Sequence, residues 1–363
     1  MLDFVYAALP VKVVFAKRAV RERLPELLDE LGAQRLLLVV SPAEQALACE
    51  LVTPFTGRIA GAFTEVRPHV PVEVAEQARA VAASVDADAI LSIGGGSTTG
   101  TAKAIALTTG LPVIAVPTTY AGSEVTPVWG LTENGRKTTG RDPRVLPRVV
   151  VYDPELTVSL PAQLSAVSGL NALAHCIEAF WGPGANPVTS LIAEEGIRAL
   201  SRGLPAVVEQ PADLDARAQA LYGAWLAGTA FATAGSGLHH KVCHVLGGAY
   251  DLPHAETHAI VLPHATALVA PAVPGVNARV ATALGAPSGT DAGDALAALS
   301  SDLGAPTALR EIGLEEAQLP EATRLVAEQA PAQPGDVGLP EIEALLRAAW
   351  RGDRPSTTAR SNA

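Results

Sequence analysis

Between Val11 and Tyr152 short apolar, β-branched runs alternate with stretches of helical spacing, and few folds accommodate that alternation. Val11–Phe15, Leu36–Val40, Ala89–Ile93, Val113–Val116 and Val149–Tyr152 read as strands. Val20–Leu31 reads as a helix closed by Gly32, and Val72–Val85 as a helix that follows Pro71. Strands alternating with helices build a mostly parallel sheet covered on both faces. After Asp153-Pro154 the texture changes. Ala162–Trp181, Pro187–Leu204, Leu214–Gly235, His239–Gly247, Val276–Leu284, Ala292–Leu303 and Glu341–Trp350 read as helices, and strand signals nearly vanish. The expected organisation is a Rossmann-like α/β domain over residues 1–155, an all-helical domain over 156–352 and a polar, disordered tail over 353–363.

The α/β part carries two loops suited to a dinucleotide. Ile93-Gly94-Gly95-Gly96-Ser97 ends a strand and opens a helix from Thr98 to Leu107. Glycines there let backbone N–H groups approach a pyrophosphate, and the helix N-terminus adds its positive dipole end. The pattern is not GxGxxG, so alone it is only moderately specific. Pro117-Thr-Thr-Tyr-Ala-Gly-Ser-Glu-Val-Thr126 ends the next strand, with hydroxyls and Gly122 suited to phosphate and ribose. After a β-like run over 125–131 come a turn signal, Glu133-Asn-Gly135, and a basic hydroxyl-rich loop, Lys137-Thr-Thr-Gly-Arg141. The candidate cofactor residues are Ser41, Gly94, Gly95, Gly96, Ser97, Thr118, Thr119, Ser123 and Lys137. An acidic residue at the end of the second strand would favour NADH by binding the ribose 2′-hydroxyl; Ser41 stands there, which leaves NADH and NADPH both open.

The chemistry-bearing stretch runs from Asn171 to His264 and holds seven of the eight histidines. Asn171 and His175, like His240 and His244, are four apart, so each pair shares a helix face. His239 and His258 complete the cluster, and Pro253-His254 and Pro263-His264 read as a His-rich loop. Imidazoles gathered in this way serve acid–base chemistry or metal binding.

Composition narrows the class. A net charge of −11 argues against nucleic acid, which requires concentrated Lys and Arg. An anionic substrate must therefore be met by a local basic pocket against the overall field. Cys49, Cys176 and Cys243 lack CxxC spacing, so neither a disulfide framework nor a zinc–thiolate site is expected. The N-terminus has no basic, apolar signal pattern, and the uncharged stretch Ala218–Leu238, interrupted by Gly and hydroxyl residues, reads as a buried helix rather than a membrane span. A cytoplasmic protein is expected.

The order GGGS, PTTYAGSEVTP, KTTGRD, LPRVVVYDPEL, NALAHCIEAF and HHKVCHVLGGAYDLPHAETHAIVLPH resembles the iron-type, or group III, alcohol dehydrogenase family through about residue 350. Its members have a dehydroquinate-synthase-like fold, and the resemblance implies a homodimer. Tyr120, the KTTGRD loop and the HHKVCHVLGG block look like the subgroup that reduces the C=C bond of maleylacetate to 3-oxoadipate with NADH or NADPH. Family alcohol dehydrogenases hold iron or zinc with an Asp and three His. The matching positions here are Asn171, His175, His240 and His254, and a neutral Asn weakens any metal site. Other departures are the glycine-free Phe15–Ala19 turn, Gly100 in place of the family Asp, and Ala330–Asp336 in place of an Asn/Pro/Arg-rich segment.

Chemistry is consistent with the loss of a metal. Hydride addition to a carbonyl leaves an alkoxide that calls for a Lewis acid. Addition to an alkene carbon β to a ketone leaves a far less basic enolate, which N–H donors can hold. On that basis His175, His240, His254 and His244 are the catalytic candidates. Asn171, Lys241, Arg141 and Tyr120 are the candidates for binding a small dicarboxylate, although Lys241 lies about 100° further round its helix than His240. The alternatives are a metal-dependent alcohol dehydrogenase of the same fold, a non-redox enzyme that uses NAD transiently, as the related sugar-phosphate cyclases do, and a nucleotide-binding protein without catalysis.

Overall fold

In the computed structural model, residues 3–133 and 136–355 are described, and the chain separates into two compact units. One spans Ala8–Leu160; the other is formed by residues up to Ala7 and from Pro161 onward.

The first unit is built on a six-stranded sheet in the order β1-β8-β5-β4-β2-β3. Its strands are β1 (Lys12–Phe15), β2 (Leu36–Val40), β3 (Ile59–Phe63), β4 (Ala89–Gly94), β5 (Val113–Pro117) and β8 (Val149–Tyr152), parallel at every pairing. β2, β4 and β5 are apolar along nearly their whole length because both faces are covered. Alternation along a strand sends Leu36, Leu38 and Val40 into a core with α1 (Ala19–Leu31) and α2 (Gln45–Leu51). Leu37 and Val39 enter the opposite core with α3 (Val72–Ser84) and α4 (Gly96–Thr109). β6 (Val128–Glu133) and β7 (Arg136–Arg141) form a separate antiparallel pair. The expected loop over Lys137–Arg141 is therefore strand β7, while the turn signal at Asn134-Gly135 lies outside the described residues. β3 and α2 were not anticipated: Ile59–Phe63 is interrupted by Gly61, and Gln45–Leu51 is only two turns long.

The second unit is helical: α5 (Ala162–Glu178), α6 (Pro187–Glu209), α7 (Leu214–Ala234), α8 (Leu238–Tyr250), α9 (His254–Val269), α10 (Pro274–Ala283), α11 (Ala292–Asp302), α12 (Leu319–Gln329) and α13 (Leu339–Arg351). Small residues bring α6 and α7 close together; a Cβ on Gly203 would lie 2.7 Å from the backbone N of Ala220. The expected His-rich loop is helix α9, with Pro263 inside it. Proline removes one amide donor but is tolerated where packing holds the helix, and Thr257 through Val269 are all buried. Among the described residues no helix is long and apolar enough to cross a membrane, and the uncharged stretch lies mostly in α7.

Candidate active site

Parallel strands bring the two nucleotide-type loops together at one edge. Gly94 is paired with Pro117, and the N–H of Thr118 donates to the carbonyl of Gly94 at 3.2 Å. Gly94 has φ +153°, a conformation that favours glycine, and a Cβ there would sit 2.5 Å from Thr98 Oγ1. A Cβ on Gly95 would lie 2.9 Å from Thr119 Cγ2, so the loops touch through a bare backbone. The helix that begins there, α4, has Gly95 as N-cap, no side-chain cap and no acidic residue in its first turn. That leaves its first amides for an anion. Ser123 Oγ in the second loop is buried with no hydrogen-bond partner. A dinucleotide diphosphate fits this donor set.

Ser41, Gly95, Thr118, Thr119 and Ser123 thus follow β2, β4 and β5, with Gly94 ending β4 and Gly96 and Ser97 opening α4. Lys137 and Arg141 lie elsewhere, on β7 opposite Thr132 and Val128. Burial lowers the Lys137 amine, whereas Arg141 is exposed. Tyr120 is 0% exposed, on the loop after β5. The first strand's glycine-free turn puts Arg18 itself in the left-handed region, φ 59°, with its N–H donating to Asp153 Oδ1 at 3.1 Å.

In the helical unit three helices supply the imidazoles. α5 carries Asn171 and His175, α8 carries His239, His240 and His244, and α9 carries His254 and His258. The rings of His175 and His240 stack, centroids 4.8 Å apart, and Phe231 packs on both at 4.6 and 5.0 Å. His258 is 0% exposed and meets His254, His239 and His240 at 4.3, 4.8 and 4.9 Å. His244 stands 6.1 Å from His240, and His254, at the start of α9, is exposed. Burial pushes the ring pKa values of His175 and His258 well below the ordinary value, and neighbouring histidines add to the shift. His264 is buried on α9 with its pKa pushed down to about 4.

Two residues outside the catalytic and substrate-binding candidates are central, Glu178 and the cluster member His258. Glu178 lies on the Asn171–His175 face of α5, one turn beyond His175. Its carboxyl accepts the backbone N–H of Gly237 at 2.9 Å and of His239 at 2.7 Å, capping α8 from a different helix. It also meets His240 Nδ1 at 2.5 Å, which fixes the orientation of that ring. Burial raises the Glu178 pKa, and the charge of His239 and the backbone donors oppose the rise. The spacing of Asn171, His175 and Glu178 on one helix was the available signal. His258 is the other; its four-residue spacing from His254 repeats the pattern of the two recognised pairs, but the flanking prolines disguised the helix. The divergent Ala330–Asp336 segment also reaches this region, since a Cβ on Gly237 would lie 3.1 Å from Gln333 Oε1 and 2.8 Å from Glu178 Oε1.

Among the described residues, Asn171 Oδ1, His175 Nδ1, His239 Nδ1 and both ring nitrogens of His258 are buried without a hydrogen-bond partner. Buried polar atoms of this kind are matched by a ligand or by ordered water. Among the described residues, the metal-competent side chains whose ligand atoms lie within 4.8 Å of one another are His239, His240 and His258, not the set His175, His240 and His254. An ion there would meet three neutral rings. Asn171 is uncharged and Glu178 is already engaged by three donors, so the donors do not fit a tight site with an anionic ligand of the family kind.

The sequence pattern of iron-containing alcohol dehydrogenases matches residues 10–154, and that of the C-terminal part of the Fe-containing alcohol dehydrogenase family matches residues 165–350. A maleylacetate reductase of Sphingobium indicum is 47% identical over 98% of this chain and 100% of its own length. The crystal structure of maleylacetate reductase from Agrobacterium tumefaciens superposes with a TM-score of 0.93 at 44% identity, covering 98% of this chain and all of that one. A sulfoacetaldehyde reductase from Bifidobacterium kashiwanohense, solved in complex with NAD+, superposes with a TM-score of 0.86 at 25% identity, covering 96% of this chain and 99% of that one. With its α/β unit, helical unit and histidine-bearing helices arranged as described, this nicotinamide-dependent oxidoreductase belongs to the iron-containing alcohol dehydrogenase family.

Proposed function

We propose that the protein reduces the C=C bond of maleylacetate, giving 3-oxoadipate, without a tightly bound metal. The observation that carries the reading is the donor set of the helical unit: an amide, Asn171, and a buried group of imidazoles around the Glu178–His240 pair. The 47% identity to a protein named for this reaction supports the substrate.

The reduced nicotinamide, when bound, supplies the hydride. The alkene carbon β to the ketone receives it, and negative charge develops on the ketone oxygen as an enolate. Neutral imidazole N–H groups and the Asn171 amide hold that oxygen, in a buried setting where such donors act strongly. The neighbouring carbon then takes a proton from a general acid. His240 is suited to that role: with Nδ1 held by Glu178, proton exchange runs through Nε2, and the carboxylate stabilises the charged ring. His244, one turn further along α8, relays protons, and His175 and His254 bind or polarise the substrate. Lys241, half-buried on α8, is the cation offered to a substrate carboxylate. A cytoplasmic location, beside the reduced nicotinamide pool, and a homodimer, readable by light scattering, go with this reading.

The test is to treat the purified protein with chelator, add maleylacetate with NADH or NADPH and follow nicotinamide absorbance. Rapid loss that survives chelation is the expected outcome. Loss only after iron or zinc is restored would instead favour a metal-dependent alcohol dehydrogenase, the reading to which the grouped nitrogens of His239, His240 and His258 lend weight.

A further inference from the structure

The chain leaves β2 toward β3 on one side of the sheet and β4 toward β5 on the other, so the loops after β2 and β4 diverge. Such a divergence opens the crevice in which parallel α/β sheets bind ligands, with an acid at the end of β2 reading the ribose. Ser41 follows β2 and carries no charge, but the turn after it delivers one. Glu44 occupies the N-cap position of α2 but caps no helix amide with its side chain; its carboxylate folds back over the strand ends instead. Ser41 Oγ donates to Glu44 Oε2 at 2.8 Å, and Thr118 Oγ1, from the loop after β5, donates to Oε1. A Cβ on Gly94 would lie 2.6 Å from Glu44 Oε2, which puts the carboxylate directly over the end of β4.

The carboxylate therefore spans the mouth of the crevice from β2 to β5, beside the glycines suited to the diphosphate. A carboxylate offers about four acceptor directions, and these two hydroxyls use two. Vicinal ribose hydroxyls are donors that match the remainder. A 2′-phosphate is a dianion with nothing to donate, and it would meet Glu44 at close range. Residues 36–52, 94–99 and 117–126 contain no Lys or Arg to offset that repulsion. The nearby Lys103 is committed elsewhere, its Nζ donating to the carbonyls of Ser123, Thr126 and Val128 at 2.5, 2.8 and 2.9 Å.

We propose that Glu44 is the residue that selects NADH over NADPH, by accepting the adenosine ribose hydroxyls and repelling a 2′-phosphate. The inference rests on the reading of this crevice as the cofactor site. Its test is calorimetric binding of ADP-ribose and 2′-phospho-ADP-ribose to the full chain, with no turnover involved. The wild-type protein is expected to bind ADP-ribose on the order of tenfold or more tightly than the phosphorylated form, with the ratio shrinking as salt is raised. Glu44→Gln, nearly isosteric and still able to accept from Thr118 or Ser41, is expected to bring the two affinities within about threefold. Equal affinities in the wild-type protein, or a ratio unchanged by Glu44→Gln, would overturn the role of Glu44 and leave the cofactor site standing. Failure of the wild-type protein to bind either ligand would overturn the cofactor site itself and this inference with it.

Discussion

Glu178 holds two backbone donors and one catalytic candidate with a single buried carboxylate, so its replacement acts on stability and chemistry together. In Glu178→Gln one of the three donors faces an amide NH2 instead of an oxygen. The expected cost is about 1–3 kcal/mol in urea unfolding, the usual penalty for a buried donor left without an acceptor. His240→Ala removes the ring but leaves both backbone bonds of Glu178 in place. Turnover is expected to fall on the order of a hundredfold or more with an unchanged circular dichroism spectrum, and near-normal activity would remove His240 from the mechanism. The two variants separate because one alters the cap of α8 and the other does not.

At the scale of elements, Lys103 ties α4 to the loop that follows β5. Burial pushes its amine down to about 7, with Glu124 opposing the shift. Between that value and the ordinary lysine value the unfolded chain holds a proton that the folded chain has released, so stability rises with pH across the window. The gap in unfolding free energy between the wild-type protein and Lys103→Met should therefore move in favour of the wild type as pH climbs from 7 to about 9.5, by up to about 1.4 kcal/mol per pH unit. A flat difference would mean that the amine keeps its proton. Elements of this kind are legible where local pattern and packing agree: β2 and β5 are apolar throughout and β4 is interrupted only by Ser92, and α1 ends at Gly32 in the left-handed conformation. α9 was not legible, because prolines at its start and inside it look like punctuation while burial keeps it helical. Strand β7 was hidden for the opposite reason. KTTGR is polar and exposed enough to read as loop, and only its pairing with β6 makes it a strand. Glu44 is not legible from the end of the strand alone, because only the folded turn Pro42–Glu44 returns its carboxylate to Ser41.

For the whole molecule, a net charge of −11 opposes a dianionic substrate and an anionic cofactor alike. Screening relieves that opposition within about a Debye length. The steady-state kcat/KM for maleylacetate is accordingly expected to rise, about two- to fivefold, as ionic strength goes from roughly 10 to 150 mM. A fall over that range would show that a local basic pocket outweighs the global field. The shared carboxylate of Glu178 also has a meaning for how such a chain can change over generations. A substitution that frees His240 from its partner at the same time unseats the start of α8, so new chemistry cannot enter by that door without a compensating cap. Asn171, whose Oδ1 has no hydrogen-bond partner among the described residues, carries no such cap. It is a position through which a lineage can drift between metal-assisted and metal-free reduction while the scaffold stays folded.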